Sequence, residues 1–223
     1  MSDRDEKCDL MHALSERILR ADSATEELER WCRERAISDG RIIALCARHS
    51  TPEMLDDESL EALYPYDTSG KAKFRRVKLA TSGIVVVEAL NWYFPGNLTQ
   101  AICDQLETTE IPFGRAIQPL NPKRRTFLVR RCTPEQLVDA QGSINPAATA
   151  FEHRAVVYSA DNTPLAVVHE RFRVLLVCRV PEFANIYTQA FLGLRSDCVV
   201  GSARAPFPRQ RRDFDVITDG MAQ

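Results

Sequence analysis

The sequence predicts an α+β domain in which an antiparallel sheet carries helices packed on one face. Helical spacing of apolar residues marks the first part of the chain, whereas strand-like apolar runs mark most of the rest. Short turn sequences join some of these runs in pairs, and strands joined by tight hairpins must be antiparallel. With 223 residues, the chain is long enough to bury a sizeable core.

Two helices are predicted within residues 8–36. The first covers residues 8–20, where four apolar residues share one face: Leu10, Met11, Leu14 and Ile18. The second begins at Ser23, because the run from Ser23 to Glu26 has the pattern of a capping box. In that motif the serine hydroxyl accepts the N–H of Glu26, and the Glu26 carboxylate reaches back to the N–H of Ser23.

The sheet is predicted to extend from about residue 41 to residue 178. Its strands are predicted at 41–49, 73–81, 84–94, 124–132, 152–160 and 164–178, the last being the longest. Short helices are predicted at 57–63, after Pro95-Gly96-Asn97, from Thr133 and at 181–192, with a loop at 141–150. A single domain, residues 1–200, and an irregular Arg- and Pro-containing tail, residues 201–223, are therefore expected.

Composition argues against several classes of protein. The net charge of −2 gives no sign of a nucleic-acid or acidic-membrane partner. No apolar run approaches the ~20 residues of a membrane span, and the charged N-terminus is unlike a signal peptide, so a cytoplasmic protein is expected. The seven cysteines are scattered without C-x-x-C spacing, which favours reduced thiols over a metal site.

Strand parity selects Arg75 as a candidate binding residue. Side chains alternate between the two faces of a strand, so Arg75 shares the inward face with Val77 and Leu79, while Arg76 and Lys78 point outward. The alternative is an edge arginine whose head group reaches solvent.

The same rule places Glu170 in a buried position. Ala166, Val168 and Phe172 share its face of the predicted last strand. An unpaired buried carboxylate costs several kcal/mol, so Glu170 must pair with a cation or bind a hydroxyl. A structural ion pair with Arg154 or Arg75 and a functional role are both open. His169, on the opposite face, is more typical of a packed or surface histidine than of a catalyst.

The tight turn at Pro112-Phe113-Gly114 is a candidate for backbone binding of an anion. Glycine permits a close approach of the backbone, so that successive N–H groups can point into a cavity.

These residues, taken together, resemble the chorismate pyruvate-lyase (4-hydroxybenzoate synthase) family. The similar stretches fall in the same order between about residues 20 and 175: Asp22–Thr25, Arg75–Leu79, Ala89–Pro95, Leu106, Thr109, Pro112–Gly114, Arg154 and Thr163–Glu170. Each motif is short, so their order carries more weight than any one of them.

The resemblance implies a six-stranded antiparallel sheet and an enclosed ligand cavity closed by helical flaps. It implies that Arg75 and the backbone N–H of Phe113 hold a benzoate carboxylate, and that Glu170 meets the ring hydroxyl and serves as the catalytic base or orients that hydroxyl. Gly114, Asn91 and Ala24 complete the expected substrate-binding set. The implied reaction removes pyruvate from chorismate and needs no metal or other cofactor.

The sequence departs from the family at four positions. Leu90-Asn91 replaces a Gly-Arg pair of enterobacterial members, which removes a cation; His169 replaces a threonine and Ala24 a methionine. Three hypotheses are therefore open: a chorismate lyase, a tailoring lyase or cyclase acting on another carboxylic acid, and a non-catalytic small-acid sensor. The expected partner in each is a small carboxylic acid, in a monomer or a homodimer.

Overall fold

The computed structural model of the protein describes residues 3–46, 51–64, 66, 72–138, 143–145 and 147–178. The predicted helix at 181–192 and the predicted tail from residue 201 lie outside these described residues.

A six-stranded antiparallel sheet forms the centre of the fold, with the strand order β1-β2-β3-β6-β5-β4. The strands are β1 Ile43–Cys46, β2 Lys73–Thr81, β3 Ile84–Tyr93, β4 Lys123–Arg131, β5 Thr149–Tyr158 and β6 Pro164–Arg173. The β2–β3 hairpin turns through Ser82 and Gly83, which both have positive φ, as the favoured two-residue hairpin turn requires. The predicted α+β class and antiparallel sheet are confirmed.

Five α-helices accompany the sheet in the described residues: α1 Asp3–Arg20, α2 Ala24–Glu34, α3 Asp57–Leu63, α4 Gln100–Thr108 and α5 Phe113–Ala116. Short 3-10 segments occupy Pro95–Asn97, Gln118–Leu120, Pro134–Leu137 and Val174–Val177. The predicted turn at residues 112–114 is in fact the start of α5, a single helical turn.

The two largest differences from the predicted strand boundaries in the described residues are at the end of β6 and the start of β5. β6 ends at Arg173, not at residue 178, because the apolar run Val174–Val177 coils into a buried 3-10 segment. β6 is thus no longer than β3 or β5, at ten residues each. β5 begins at Thr149, inside the predicted loop, because Thr149 and Phe151 pair with Arg173 and Phe172 of β6.

The predicted capping box of α2 forms only in part. The N–H of Glu26 donates to Ser23 Oγ over 3.3 Å, as expected. The Glu26 carboxylate, however, accepts from Gln118 Nε2 at 3.1 Å. Glu26 therefore ties α2 to the segment that follows α5.

Most helices cover one face of the sheet, which we call the helix face. Leu14, Leu28 and Trp31 of α1 and α2 share a core cluster with inward residues of β2 and β3. Ile102 of α4 and Ile117, next to α5, pack on the same face near the ends of β5 and β6. The short helix α3 is an exception, because Leu63 packs on the opposite face.

The pairing register places Arg75 and Glu170 on the same face. Arg75 pairs with Asn91, and Asn91 pairs with Val168. Glu170 lies two residues after Val168 in β6, so its side chain projects from the helix face as well. Strand parity had grouped these residues correctly.

Candidate functional site

A pocket lies between the helix face of the sheet and the N-terminal ends of α2 and α5. Five of the six predicted site residues line it: Ala24, Asn91, Phe113, Gly114 and Glu170. The volume of the pocket is about 50 Å³. That is room for one or two water molecules, so a ring-sized ligand requires the walls to move apart. Enclosure of a ligand by these walls stays a prediction.

Arg75, the sixth predicted residue, borders this pocket without lining it. Its side chain is buried, with 8% exposure, which rules out the solvent-reaching alternative. One guanidinium nitrogen, Nη2, donates to the carbonyl oxygen of Ile111 at 3.2 Å and contacts Cys46 Sγ at 3.1 Å. The other two nitrogens, Nε and Nη1, are buried and have no hydrogen-bond partner in the described part of the chain.

No carboxylate among the described residues forms an ion pair with Arg75. A guanidinium that is buried with two idle donors carries a desolvation cost of several kcal/mol. Its position is beside Asn91, which does line the pocket, and its bond to Ile111 holds it against the residue preceding Pro112. An anion that reached this corner would meet two donors at once.

Glu170 is paired with a cation, as one of its two sequence interpretations required, but the partner is neither Arg154 nor Arg75. Glu170 Oε2 lies 2.7 Å from Arg124 Nη2, and the two side chains are 12% and 7% exposed. Although these atoms are close, both remain without an aligned hydrogen bond. Arg154 instead pairs with Asp56 and Glu58 on the opposite face.

Arg124 is a charged residue of the pocket lining that the sequence analysis missed. It stands at the start of β4, after a left-handed Asn121 (φ 46°) and Pro122, and it lines the pocket. The sequence predicts it only as the start of a strand, residues 124–132. The alternation of side chains along β4 could have indicated the face on which Arg124 lies. A bulge between Thr126 and Leu128 shifts that alternation, so the sequence pattern does not reveal the face.

The roof of the pocket is formed where α2 meets α5. A Cβ added to Gly114 would lie 3.0 Å from Thr25 Oγ1, so a side chain at this position would require Thr25 to shift. An ion pair between Arg115 and Glu29 and the Gln118–Glu26 hydrogen bond join the same two elements. In the first turns of these helices the N–H of Glu26 donates to Ser23 Oγ, and the N–H of Arg115 donates to the carbonyl oxygen of Pro112.

His153 lies beside the pocket, opposite Glu170 in the β5–β6 register. It is fully buried; its Nε2 is 2.9 Å from Ser15 Oγ, and its Nδ1 has no partner in the described residues. Burial, with the positive charges of Arg124 and Arg131 nearby, lowers the pKa of His153 to about 3. The imidazole is therefore neutral and adds no charge to the site.

His169 lies outside the pocket. It is buried on the opposite face, where its Nε2 is 3.0 Å from Glu152 Oε2. Burial lowers its pKa despite this carboxylate. The interpretation of His169 as a packed histidine is supported, so its departure from the family pattern does not alter the pocket directly.

A larger cleft of about 400 Å³ lies outside the α1–α2 junction. Asp22 and Ser23 line both this cleft and the inner pocket, so a single short segment separates the two. The three arginines that line the outer cleft, Arg17, Arg20 and Arg30, all pair with glutamates.

The described residues contain no group of three or more His, Cys, Asp or Glu side chains arranged to hold a metal ion. Across the same residues, no helix is both long and apolar enough to cross a membrane.

Comparison with known proteins shows the family of the chain. No family model matches it. The chain is 30% identical over 176 residues to the uncharacterized protein y4mC of Sinorhizobium fredii, with 73% of each chain covered. The chain belongs to the same family as y4mC.

Solved structures with a similar arrangement are more distant. The effector domain of PhnF from Mycobacterium smegmatis has a TM-score of 0.41 at 15% identity, covering 60% of this chain and 81% of that one. The effector-binding domain of the trehalose repressor from Bacillus subtilis has a TM-score of 0.32 at 12% identity, covering 75% and 99%. Similarity at this level carries no argument about a ligand.

Proposed function

We propose that the protein binds a small hydroxylated carboxylic acid between Arg75 and the Arg124–Glu170 pair. The observation that carries the proposal is Arg75, whose guanidinium is 8% exposed and keeps two donors without a partner in the described residues. A carboxylate fits a guanidinium fork with two parallel hydrogen bonds, and would compensate the buried charge.

The geometry of the sheet suits a single-ring acid. Arg75 and Glu170 lie on strands separated by β3 and are offset by two residues along the sheet, so their backbones are about 12 Å apart. Both side chains project from the same face. A flat ring with a carboxylate at one end and a hydroxyl at the other spans the space between their head groups.

Binding requires the pocket to enlarge from its volume of about 50 Å³. The movable part is the roof, because the floor belongs to four central strands that are hydrogen-bonded to one another. A shift of the α2 N-terminus relative to α5 would widen the pocket and admit ligand toward Asn91 and Arg75. The energy for that shift would come from satisfying the two idle Arg75 donors.

A second candidate is turnover, with chorismate losing pyruvate. It is favoured by one observation, that Glu170 shares the helix face and the pocket with the predicted binding residues. Against it, Arg124, 2.7 Å away, already compensates the charge of the Glu170 carboxylate, and Asn91 supplies no second cation. We therefore place binding ahead of catalysis.

One pair of measurements tests both functions. Isothermal titration of the purified protein with 4-hydroxybenzoate should show saturable binding, and incubation with chorismate should release no pyruvate in a lactate dehydrogenase-coupled assay. Equal release of pyruvate and 4-hydroxybenzoate would establish the lyase instead. Absence of both binding and turnover would overturn the proposed function.

A further inference from the structure

The charges around the pocket carry information about the charge of the ligand. Arg75 and Arg124 are cations, and Glu170 is an anion; all three are largely buried. His153 beside them is neutral, since its pKa lies at about 3. Asp22, the remaining charged residue of the lining, is exposed at the rim, where solvent screens it. The described interior thus keeps one uncompensated positive charge, which belongs to Arg75.

The contact between Arg124 and Glu170 has a second property. Arg124 Nη2 and Glu170 Oε2 lie 2.7 Å apart, but each lacks an aligned hydrogen bond. One donor and one acceptor are therefore spare at the same point of the pocket wall. A hydroxyl group donates one hydrogen bond and accepts others, so it can satisfy both atoms at once. A carboxylate can only accept, and it would face the like charge of Glu170.

We infer that the Arg124–Glu170 pair makes this site selective for singly charged hydroxy acids over dicarboxylic acids. This inference rests on the proposed function and specifies its ligand class. The single carboxylate of the ligand compensates Arg75, and the hydroxyl at the far end bridges Glu170 and Arg124. The same charge balance disfavours chorismate, which carries two carboxylates.

Two ligands of similar shape isolate this effect. 4-Hydroxybenzoate and terephthalate (benzene-1,4-dicarboxylate) differ only in the group at one end of the ring. Titration calorimetry of the full chain should give a Kd for terephthalate at least about tenfold weaker than that for 4-hydroxybenzoate, because its second carboxylate meets Glu170. Benzoate, which lacks the hydroxyl, should fall between them.

The variant Glu170→Gln should reverse the order. Removing this negative charge leaves two uncompensated guanidiniums, so terephthalate should gain about tenfold in affinity and 4-hydroxybenzoate should lose affinity. Glu88→Gln is the matched control, because Glu88 pairs with Arg173 on the opposite face of β3. It should leave both Kd values unchanged.

The outcomes separate the two proposals. If terephthalate binds the unmodified protein as tightly as 4-hydroxybenzoate, the charge selectivity is wrong while a carboxylate site stands. If none of the three acids binds either the unmodified protein or Glu88→Gln, the proposed function fails and the inference with it. The ranking on the unmodified protein needs no variant, so a folding defect in Glu170→Gln would not block the test.

Discussion

Replacing Arg75 by methionine should stabilise the protein and abolish its binding of carboxylic acids. The side chain is buried at 8% exposure, and Nε and Nη1 lack partners among the described residues. Methionine has a similar length and no need for hydrogen bonds, so it removes the cost of a buried charge. A residue that lowers stability while it serves binding is a common feature of functional sites.

The magnitude follows from the contacts of Arg75. Each buried donor without a partner costs ~1–3 kcal/mol, and two such donors disappear. The substitution also removes the charge-assisted bond to the Ile111 carbonyl, which contributes ~1.5–3 kcal/mol, and a weak contact with Cys46. We expect a net increase of about 1–2 kcal/mol in the free energy of unfolding. In a chain of this size that raises the Tm by about 2–8 °C.

Thermal unfolding monitored by circular dichroism and titration with 4-hydroxybenzoate measure the two effects together. We expect the Kd for 4-hydroxybenzoate to weaken about 100-fold in Arg75→Met, because a buried guanidinium–carboxylate pair is lost. Arg76→Met is the control: Arg76 points to the opposite face and pairs with Glu53, so its binding should match that of the unmodified protein. A loss of more than about 2 kcal/mol of stability in Arg75→Met would mean that Arg75 is a structural residue. Unchanged binding in this variant would mean that the carboxylate of the ligand binds elsewhere.

Two further predictions concern the roof and the interior. Gly114→Ala should weaken 4-hydroxybenzoate binding several-fold and cost ~1 kcal/mol of stability, because the new Cβ meets Thr25 Oγ1 at 3.0 Å. Gly96→Ala is the control: the new Cβ has nothing within 4 Å, so neither the binding nor the stability should change. His153 has a folded-state pKa of about 3, below its unfolded value of ~6.5, so the unfolded chain binds more protons between these two pH values. The stability of the protein therefore falls as the pH is lowered from about 6.5 toward 3. Chemical unfolding at pH 7 and at pH 4.5 should show a smaller loss in His153→Gln; an equal loss would contradict a buried neutral His153.

Local pattern was sufficient for much of the fold. Helical spacing located α1, the capping-box pattern located the start of α2, and a hairpin turn located β2 and β3. The end of β6 was missed because Val174–Val177 is as apolar as a strand, and only the packing of the complete core makes it coil. Periodicity does not distinguish these two buried conformations.

The site was predictable to the extent that it depends on parity. Arg75 and Glu170 each follow from alternation along regular strands, whereas Asn91 was implied by the family resemblance, and the register brings all three to one face. Arg124 does not, because a bulge interrupts the alternation of β4 and because its partner Glu170 is 46 positions away in the sequence. The size of the pocket could not be predicted from the sequence either, because it depends on how closely α2 approaches α5 through Gly114 and Thr25.

A crystal structure of the protein grown with 4-hydroxybenzoate tests the central claim most directly. We predict the ligand carboxylate within about 3 Å of Arg75 Nε and Nη1, and the ring hydroxyl against Glu170 and Arg124. Ligand density in the outer cleft near Arg17 and Arg30, with the pocket still closed over Asn91, would contradict it.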